Sequence, residues 1–279
     1  MILSFGPSTE GTPTTALAMG VPSLLALLGY ASAAWPIERF SPAHRMLLVA
    51  AWLAHGVAIV IDVVGHGAQA PGARFGFAPA LSVTLWVVLA VYGLEIRYVA
   101  LRGARRLLLL CACAVVALAW AFPGQPHPLA GSPWAPLHWL LGFASYGLFG
   151  VAVLHAALLN RAERQLRRTP ALGASAGEGV PLLRLERLTY RFVVAGFAAL
   201  SAAIVLGALY ASPWRWDHKT VFSMLGWLVF AALLGGRLAF GWRGPQATRW
   251  LYVGAALLLL AYVGSRFVFE VLLHRTPGT

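Results

Sequence analysis

Residues 188–210 read LTYRFVVAGFAALSAAIVLGALY, a run that contains one charged side chain, Arg191. About 20 mostly apolar residues are enough for a helix to cross the hydrocarbon core of a bilayer. In lipid every backbone polar group needs a partner within the protein, and this run lacks the alternation typical of a barrel strand. The stretch therefore predicts a transmembrane helix.

The same pattern recurs along the whole chain. We predict eight transmembrane helices, over roughly 16–35, 44–64, 76–96, 105–121, 136–159, 188–210, 219–240 and 249–273. Hydrophobic residues form 59% of the 279 residues, charged residues 11%, and the mean hydropathy is +0.74. Soluble domains are about 45–50% apolar and about 25% charged. The composition excludes a disordered protein, a nucleic-acid-binding domain and an ordinary cytosolic enzyme, and predicts an all-α polytopic membrane protein in a lipid bilayer.

The basic residues indicate an orientation. Of 21 basic residues, 15 lie in the loops after the first, third, fifth and seventh predicted helices. The opposite side carries Arg74, Arg215, Lys219 and Arg275, while Arg191 and Arg266 lie within spans. The positive-inside rule then places both termini outside. The first run has no basic segment before it, so we expect a retained helix and not a cleaved signal.

The chain reads as a single transmembrane domain over 1–279. Its one sizeable polar segment, about 160–187, is predicted to be a cytoplasmic linker, with a flexible Gly/Ala/Ser stretch at 172–179 and the start of the sixth helix at 182–187. Cys111 and Cys113 lie two apart on a helix and point to nearly opposite faces, which disfavours both a disulfide and a metal site.

The outer loop at about 211–219 is the strongest candidate for a site. It contains Trp214, Trp216, Asp217 and Lys219 in one short string. Tryptophan is also enriched at membrane interfaces, so an aromatic belt is the alternative interpretation. Two histidines, His138 and His274, are predicted at the same side, where they are suited to act as axial ligands of a flat metal-centred ring stacked on the tryptophans.

Ionisable residues within a transmembrane span cost free energy to insert, so they are candidate functional residues as well. His55, Asp62 and His66 lie on roughly one helix face, which fits either a proton or metal path, or a histidine bonded to a neighbouring helix with Asp62 and His66 wetted at the surface. Arg266 and Glu270 are spaced i, i+4, and we favour an internal salt bridge between them.

The outer string and its surroundings resemble a known family. Residues 214–223 read WRWDHKTVFS and are followed by WLVF at 227–230, which resembles W-x-W-D-P-K-E-T-W-S and W-L-I-Y of the cytochrome c assembly (CcsA-type) haem-handling family. Further resemblance lies at Tyr190-Arg191, Gly196-Phe197, Gly207-Ala208, and His138 with Ser145-Tyr146. The segments 75–77, 80–82, 185–188 and 262–267 are similar to its YpjD-like inner membrane branch.

The resemblance implies an integral haem-binding protein of cytochrome c biogenesis, multi-pass in the bacterial plasma (inner) membrane, that presents haem on the outer face. It implies His138 and His274 as ligands of the haem iron, and Trp214, Trp216, Asp217, Lys219 and His55 as further haem-binding residues. Other cytochrome c biogenesis membrane proteins are the expected partners. An assembly factor is favoured over an enzyme, and no catalytic residue is assigned.

Departures from the family pattern keep an alternative open. His218 and Thr220 replace the motif's Pro and Glu, and Phe222 replaces its next Trp. Gly235 occupies the position where the family pattern has a membrane histidine. A haem-free regulatory or scaffolding protein of the same fold, for example one linked to control of haem biosynthesis, is therefore the second hypothesis. A transporter that uses the His55 stripe is the third. The only lysine of the chain falls on the motif's lysine, Lys219, as a carboxylate such as a haem propionate would demand.

Overall fold

The computed structural model describes residues 13–35, 42–64, 73–95, 102–127, 134–168, 182–210, 216–264 and 267–268. Its helices are α1 (Pro13–Ala34), α2 (Pro42–Val64), α3 (Phe77–Glu95), α4 (Arg102–Ala121), α5 (Ala135–Arg168), α6 (Leu182–Tyr210), α7 (His218–Phe240) and α8 (Gly244–Leu259), and a π-helical turn (Leu260–Gly264) continues α8. The predicted all-α class is confirmed. Within the described residues, six helices, namely α2, α3, α5, α6, α7 and α8, are long and apolar enough to cross a membrane.

One element was not predicted from the sequence. Strand β1 (Ala73–Phe75) pairs antiparallel with strand β2 (Gln125–His127), so that Arg74 lies opposite Pro126. The Arg74 Nε donates a hydrogen bond to the carbonyl oxygen of Gly124 at 2.6 Å. Three-residue strands bury too few side chains to show a period of two, so the sequence offers no alternation by which to find them.

The contacts divide the chain into two compact units, residues 1–86 with 102–131 and residues 87–101 with 132–279. In the first unit α1 packs on α2 and on α4. Its buried centre joins three helices through His55, whose Nδ1 lies 3.2 Å from the Tyr30 hydroxyl and whose Nε2 lies 2.8 Å from the Ser82 hydroxyl.

A reciprocal tryptophan pair also joins α2 to α3 in the first unit. The rings of Trp52 and Trp86 stack with centroids 4.4 Å apart and planes inclined by 6°. Each indole N–H donates to the backbone carbonyl of the other residue, at 3.0 and 2.9 Å. The two rings therefore bury their faces on one another and keep both polar atoms satisfied, which a tryptophan in lipid needs.

In the second unit α5 packs on α6, and α7 packs on α8. Phe149 of α5 and Phe230 of α7 stack at its centre, with ring centroids 3.8 Å apart. At one end of this unit Glu186 of α6 accepts a hydrogen bond from Arg237 of α7 at 3.1 Å and lies 3.8 Å from Arg243, which precedes α8. One carboxylate thus holds three consecutive helical segments together.

Helix α5 extends past the end of its predicted span. It was expected to end near residue 159, but it continues to Arg168 and places Arg161 and Arg164 on regular helix. At about 1.5 Å per residue it is longer than a bilayer requires, so its last turns extend beyond the hydrocarbon. The start of α6 at Leu182 agrees with the predicted early beginning of the sixth helix.

Candidate functional site

His138 lies in the first turn of α5 and is held against α6. Its Nδ1 lies 2.9 Å from the carbonyl oxygen of Ala203. One turn farther along α6, Gly207 faces the imidazole: a Cβ placed there would lie 3.0 Å from His138 Cε1. The absence of a side chain at Gly207 leaves room for the ring to approach this helix closely.

The bond to Ala203 decides which ring nitrogen of His138 carries the proton. A carbonyl oxygen only accepts, so Nδ1 must be protonated, and in the neutral ring Nε2 then carries the lone pair. Histidines that bind metals commonly use their other N–H in this way, because the bond fixes both tautomer and ring orientation. The described contacts of His138 therefore leave its Nε2 suited to coordinate a metal.

Lys219 lies in the first turn of α7, near the same histidine. Its charge acts on the His138 imidazole, and its Nζ lies 5.3 Å from the centroid of the Tyr262 ring. Tyr262, in the π-helical turn after α8, meets Tyr146 of α5 edge to face, with centroids 6.3 Å apart. Tyr146 in turn donates a hydrogen bond to the Leu258 carbonyl. Residues from α5, α7 and the end of α8 thus form a continuous polar and aromatic cluster.

Tyr262 and Tyr146 belong to this cluster, but the sequence did not identify either as a site residue. Tyr262 lies in a segment that is similar to the YpjD-like branch, but nothing in the sequence spacing pairs it with Lys219, 43 positions earlier. The available signal was the lone lysine itself, since a single ammonium in an apolar chain needs an acceptor or an aromatic face nearby.

Asp217 caps α7. Its backbone is extended, and its Oδ1 accepts a hydrogen bond from the Thr220 backbone N–H at 2.8 Å. An Asp directly before an apolar run is expected to cap the helix, and the structure has that cap. Trp216, immediately before it, is 70% exposed.

The other predicted site residues fall elsewhere. Trp214 and His274 lie outside the described residues, as do His66, Arg266 and Glu270. His55 belongs to the first unit, where hydroxyl groups engage both of its ring nitrogens. In the parts of the chain that the structure describes, no three His, Cys, Asp or Glu side chains converge on a common point.

The structure also describes Asp62 and the two cysteines. The interpretation in which Asp62 is wetted at the surface is wrong: Asp62 is 7% exposed, and its Oδ1 has no hydrogen-bond partner among the described residues. The reason is that β1, which the sequence did not reveal, packs against α2. Cys111 and Cys113 are free thiols, as expected, and the Cys113 Sγ contacts the Leu27 carbonyl at 3.8 Å.

Comparison with known proteins identifies a family that matches most of this chain. The family model described as Cytochrome C assembly protein matches residues 24–273, which include α2 to α8 and the second half of α1. The chain belongs to the cytochrome c assembly protein family. The resemblance drawn from the tryptophan-rich string is thereby confirmed at the family level, while the YpjD-like branch stays a prediction.

Three curated relatives of this chain carry the same name. The cytochrome c biogenesis protein CcsA of Parasynechococcus marenigrum (strain WH8102) is 31% identical over 162 residues, which cover 49% of this chain and 53% of that protein. The protein of the same name from Synechococcus sp. (strain JA-3-3Ab) is 34% identical over 104 residues, 33% of this chain and 30% of the relative. That from Gloeobacter violaceus is 33% identical over 108 residues, 35% and 32% of the two chains.

The matched segments thus span about half of these relatives' length or less. No solved structure matches the chain. The family is established for this chain, and the activity of the longer relatives reaches it only as a proposal.

Proposed function

We propose that this chain is an integral membrane haem-binding protein of cytochrome c biogenesis that presents haem on the outer face of a bacterial inner membrane. Eight transmembrane helices within one domain, with both termini outside, form the topology of this proposal. The family match over residues 24–273 and the distribution of basic residues support it. Haem is then a cargo, and other cytochrome c biogenesis membrane proteins are the partners that would supply or receive it.

The observation that carries the proposal is the orientation of His138. Its Nδ1 is occupied by the Ala203 carbonyl, so that Nε2 is the nitrogen left to coordinate iron. An imidazole held in this way already has the tautomer that coordination through Nε2 requires. His274 would supply the second ligand.

The residues around His138 fit the rest of a haem. Haem, when bound, offers an iron centre, a flat apolar ring and two carboxylates. Trp216 and Trp214 would contact the ring, since an exposed indole presents a flat face. Lys219 would pair with a propionate, and Asp217 positions Lys219 by capping α7. His55 remains only a prediction as a haem-binding residue, because the Tyr30 and Ser82 hydroxyls already occupy its two nitrogens.

One observation favours a haem-free regulatory or scaffolding role as the second candidate. The family resemblance expects a membrane histidine where this chain has Gly235 in α7. A Cβ placed at Gly235 would meet no atom of the described residues within 4 Å, so none of their side chains replaces the missing imidazole there. A protein that has lost one of its haem ligands while keeping the fold would show this vacancy.

An absorption spectrum of protein purified in mild detergent separates the two candidates. Wild-type protein is expected to show a Soret band that His138→Ala removes or shifts. His44→Ala is the matched control, since His44 lies in α2 of the first unit and should leave the spectrum unchanged. Wild-type protein without a Soret band, after expression with abundant haem, would contradict the haem proposal and favour the regulatory one.

A further inference from the structure

The first turns of α6 carry three arginines on one face. Arg184, Arg187 and Arg191 are spaced i, i+3 and i+7, so they follow one another along about 10 Å of helix. Among the described residues they line a cleft of about 350 Å³ together with Leu183 and Leu188. The lining is mainly apolar, from the two leucines and the aliphatic stems of the arginines, while Arg187 and Arg191 remain exposed.

The neighbouring acid does not neutralise this face. Glu186, the acidic residue of the same segment, is engaged by Arg237 at 3.1 Å and by Arg243 at 3.8 Å. Within the described ranges neither Arg187 nor Arg191 forms an ion pair or a hydrogen bond. Two exposed guanidinium groups one helical turn apart therefore keep their donors available for a ligand that carries negative charge.

The position along α6 identifies the kind of ligand. The candidate span runs over Leu182–Leu209, so the arginines lie at its end, where hydrocarbon gives way to headgroups. Leu183 is 68% exposed beside them, as expected for a side chain that contacts acyl chains. The excess of basic residues on this side predicts the cytoplasmic leaflet, whose lipids are anionic.

From this geometry we infer that the cleft binds the headgroup phosphate of an anionic glycerophospholipid. Arg187 and Arg191 donate to the phosphate oxygens, since the guanidinium fork matches that group, and Arg184 adds charge. Leu183 and Leu188 contact the first part of an acyl chain. This site is separate from the haem proposal and stands or falls without it.

Native mass spectrometry of the purified chain, titrated with phosphatidylglycerol or with phosphatidylcholine of the same acyl chains, tests the inference. Wild-type protein should bind phosphatidylglycerol more tightly. The double variant Arg187→Gln/Arg191→Gln should bind it about thirty-fold more weakly, because each basic residue near an anionic surface contributes a factor of about five. Arg161→Gln/Arg249→Gln is the matched control: both arginines are exposed, lie on the same predicted side and are outside the cleft.

Four results overturn the inference. They are equal binding of the two lipids by wild-type protein, an equal loss in the control double variant, no loss in Arg187→Gln/Arg191→Gln, and displacement of the lipid by glycerol 3-phosphate at the same concentration. The last would assign the cleft to a free phosphate compound. If the glutamine variant does not fold, Arg187→Lys/Arg191→Lys replaces it, and retained selectivity for phosphatidylglycerol supports the site. A Leu183→Gln/Leu188→Gln variant that binds both lipids with wild-type affinity excludes the acyl contact.

Discussion

The Nδ1 of His138 on α5 lies 2.9 Å from the Ala203 carbonyl oxygen on α6, so one helix fixes the ring orientation of a histidine on another. Gly207, one turn farther along α6, leaves the room in which that ring lies. The candidate iron ligand is thus positioned by backbone alone, by a carbonyl and by a missing Cβ.

Gly207→Ala should therefore disturb His138 without unfolding the protein. A Cβ at 3.0 Å from Cε1 must displace the imidazole, while alanine in a helix is otherwise favourable. We expect a weakened or shifted Soret band with unchanged expression. The control is Gly142→Ala in α5, where a Cβ would meet nothing within 4 Å. Identical spectra for the two variants would argue against an iron ligand at His138.

Lys219 should not be replaceable by arginine. The ammonium lies 5.3 Å from the Tyr262 ring centroid, and a planar guanidinium has a different reach and donor geometry. We expect Lys219→Arg to fold normally but to bind haem more weakly in a titration followed by absorbance, with Lys219→Gln weaker still. Full binding by Lys219→Arg would show that charge alone is needed.

Substitutions of Asp217 should affect both the stability of the protein and its haem content. Asp217→Ala removes the bond to the Thr220 N–H and should destabilise the protein by about 0.5–2 kcal/mol, a loss that Asp217→Ser should largely recover. Under the haem proposal Asp217→Ser nevertheless retains less haem, because serine restores the cap but not the negative charge two residues before Lys219.

Trp216→Ala should lower haem content more than Trp139→Ala, since Trp139 is expected to act as an interface anchor. Expression and bound haem should be measured side by side for both variants. Full haem content in both Trp216→Ala and Asp217→Ser would end the assignment of this segment to the site.

Glu186→Gln should lower stability without affecting haem. The carboxylate contacts Arg237 and Arg243 and is only 20% exposed, so its loss should cost more than a fully exposed pair does. A loss of about 1 kcal/mol corresponds to a fall in Tm of roughly 2–4 °C, measured by thermal unfolding in detergent. Glu163→Gln in α5 is the control, because Glu163 forms no ion pair within the described residues.

The proposed orientation predicts that a reporter fused after Thr279 is active outside the cytoplasm. A reporter inserted between Arg168 and Leu182 should be active inside, because that connection follows four arginines at the end of α5. A cytoplasmic signal from the C-terminal fusion would refute the topology.

The helices could be predicted because each is a long apolar run, and length alone identifies them in a membrane protein. The ends of the helices are harder to predict. Helix α5 continues through polar sequence to Arg168, where the hydropathy is low but the backbone is still helical. Asp217 could be predicted as a cap from its place before an apolar run, since capping is local. Three other features depend on which helices and strands become neighbours, and the sequence near each residue does not reveal those neighbours. They are the bond between His138 and Ala203, the contact of Lys219 with Tyr262, and the burial of Asp62 beside β1.

The Trp52–Trp86 pair gives the first unit an optical property of its own. Two indoles stacked 4.4 Å apart and nearly parallel have coupled electronic transitions, so they should produce a paired signal in near-ultraviolet circular dichroism. That signal exists only while α2 and α3 are correctly docked, and it does not depend on a bound pigment. It would therefore report the folding of the first unit separately from whatever happens at His138, even in a variant that carries no haem at all.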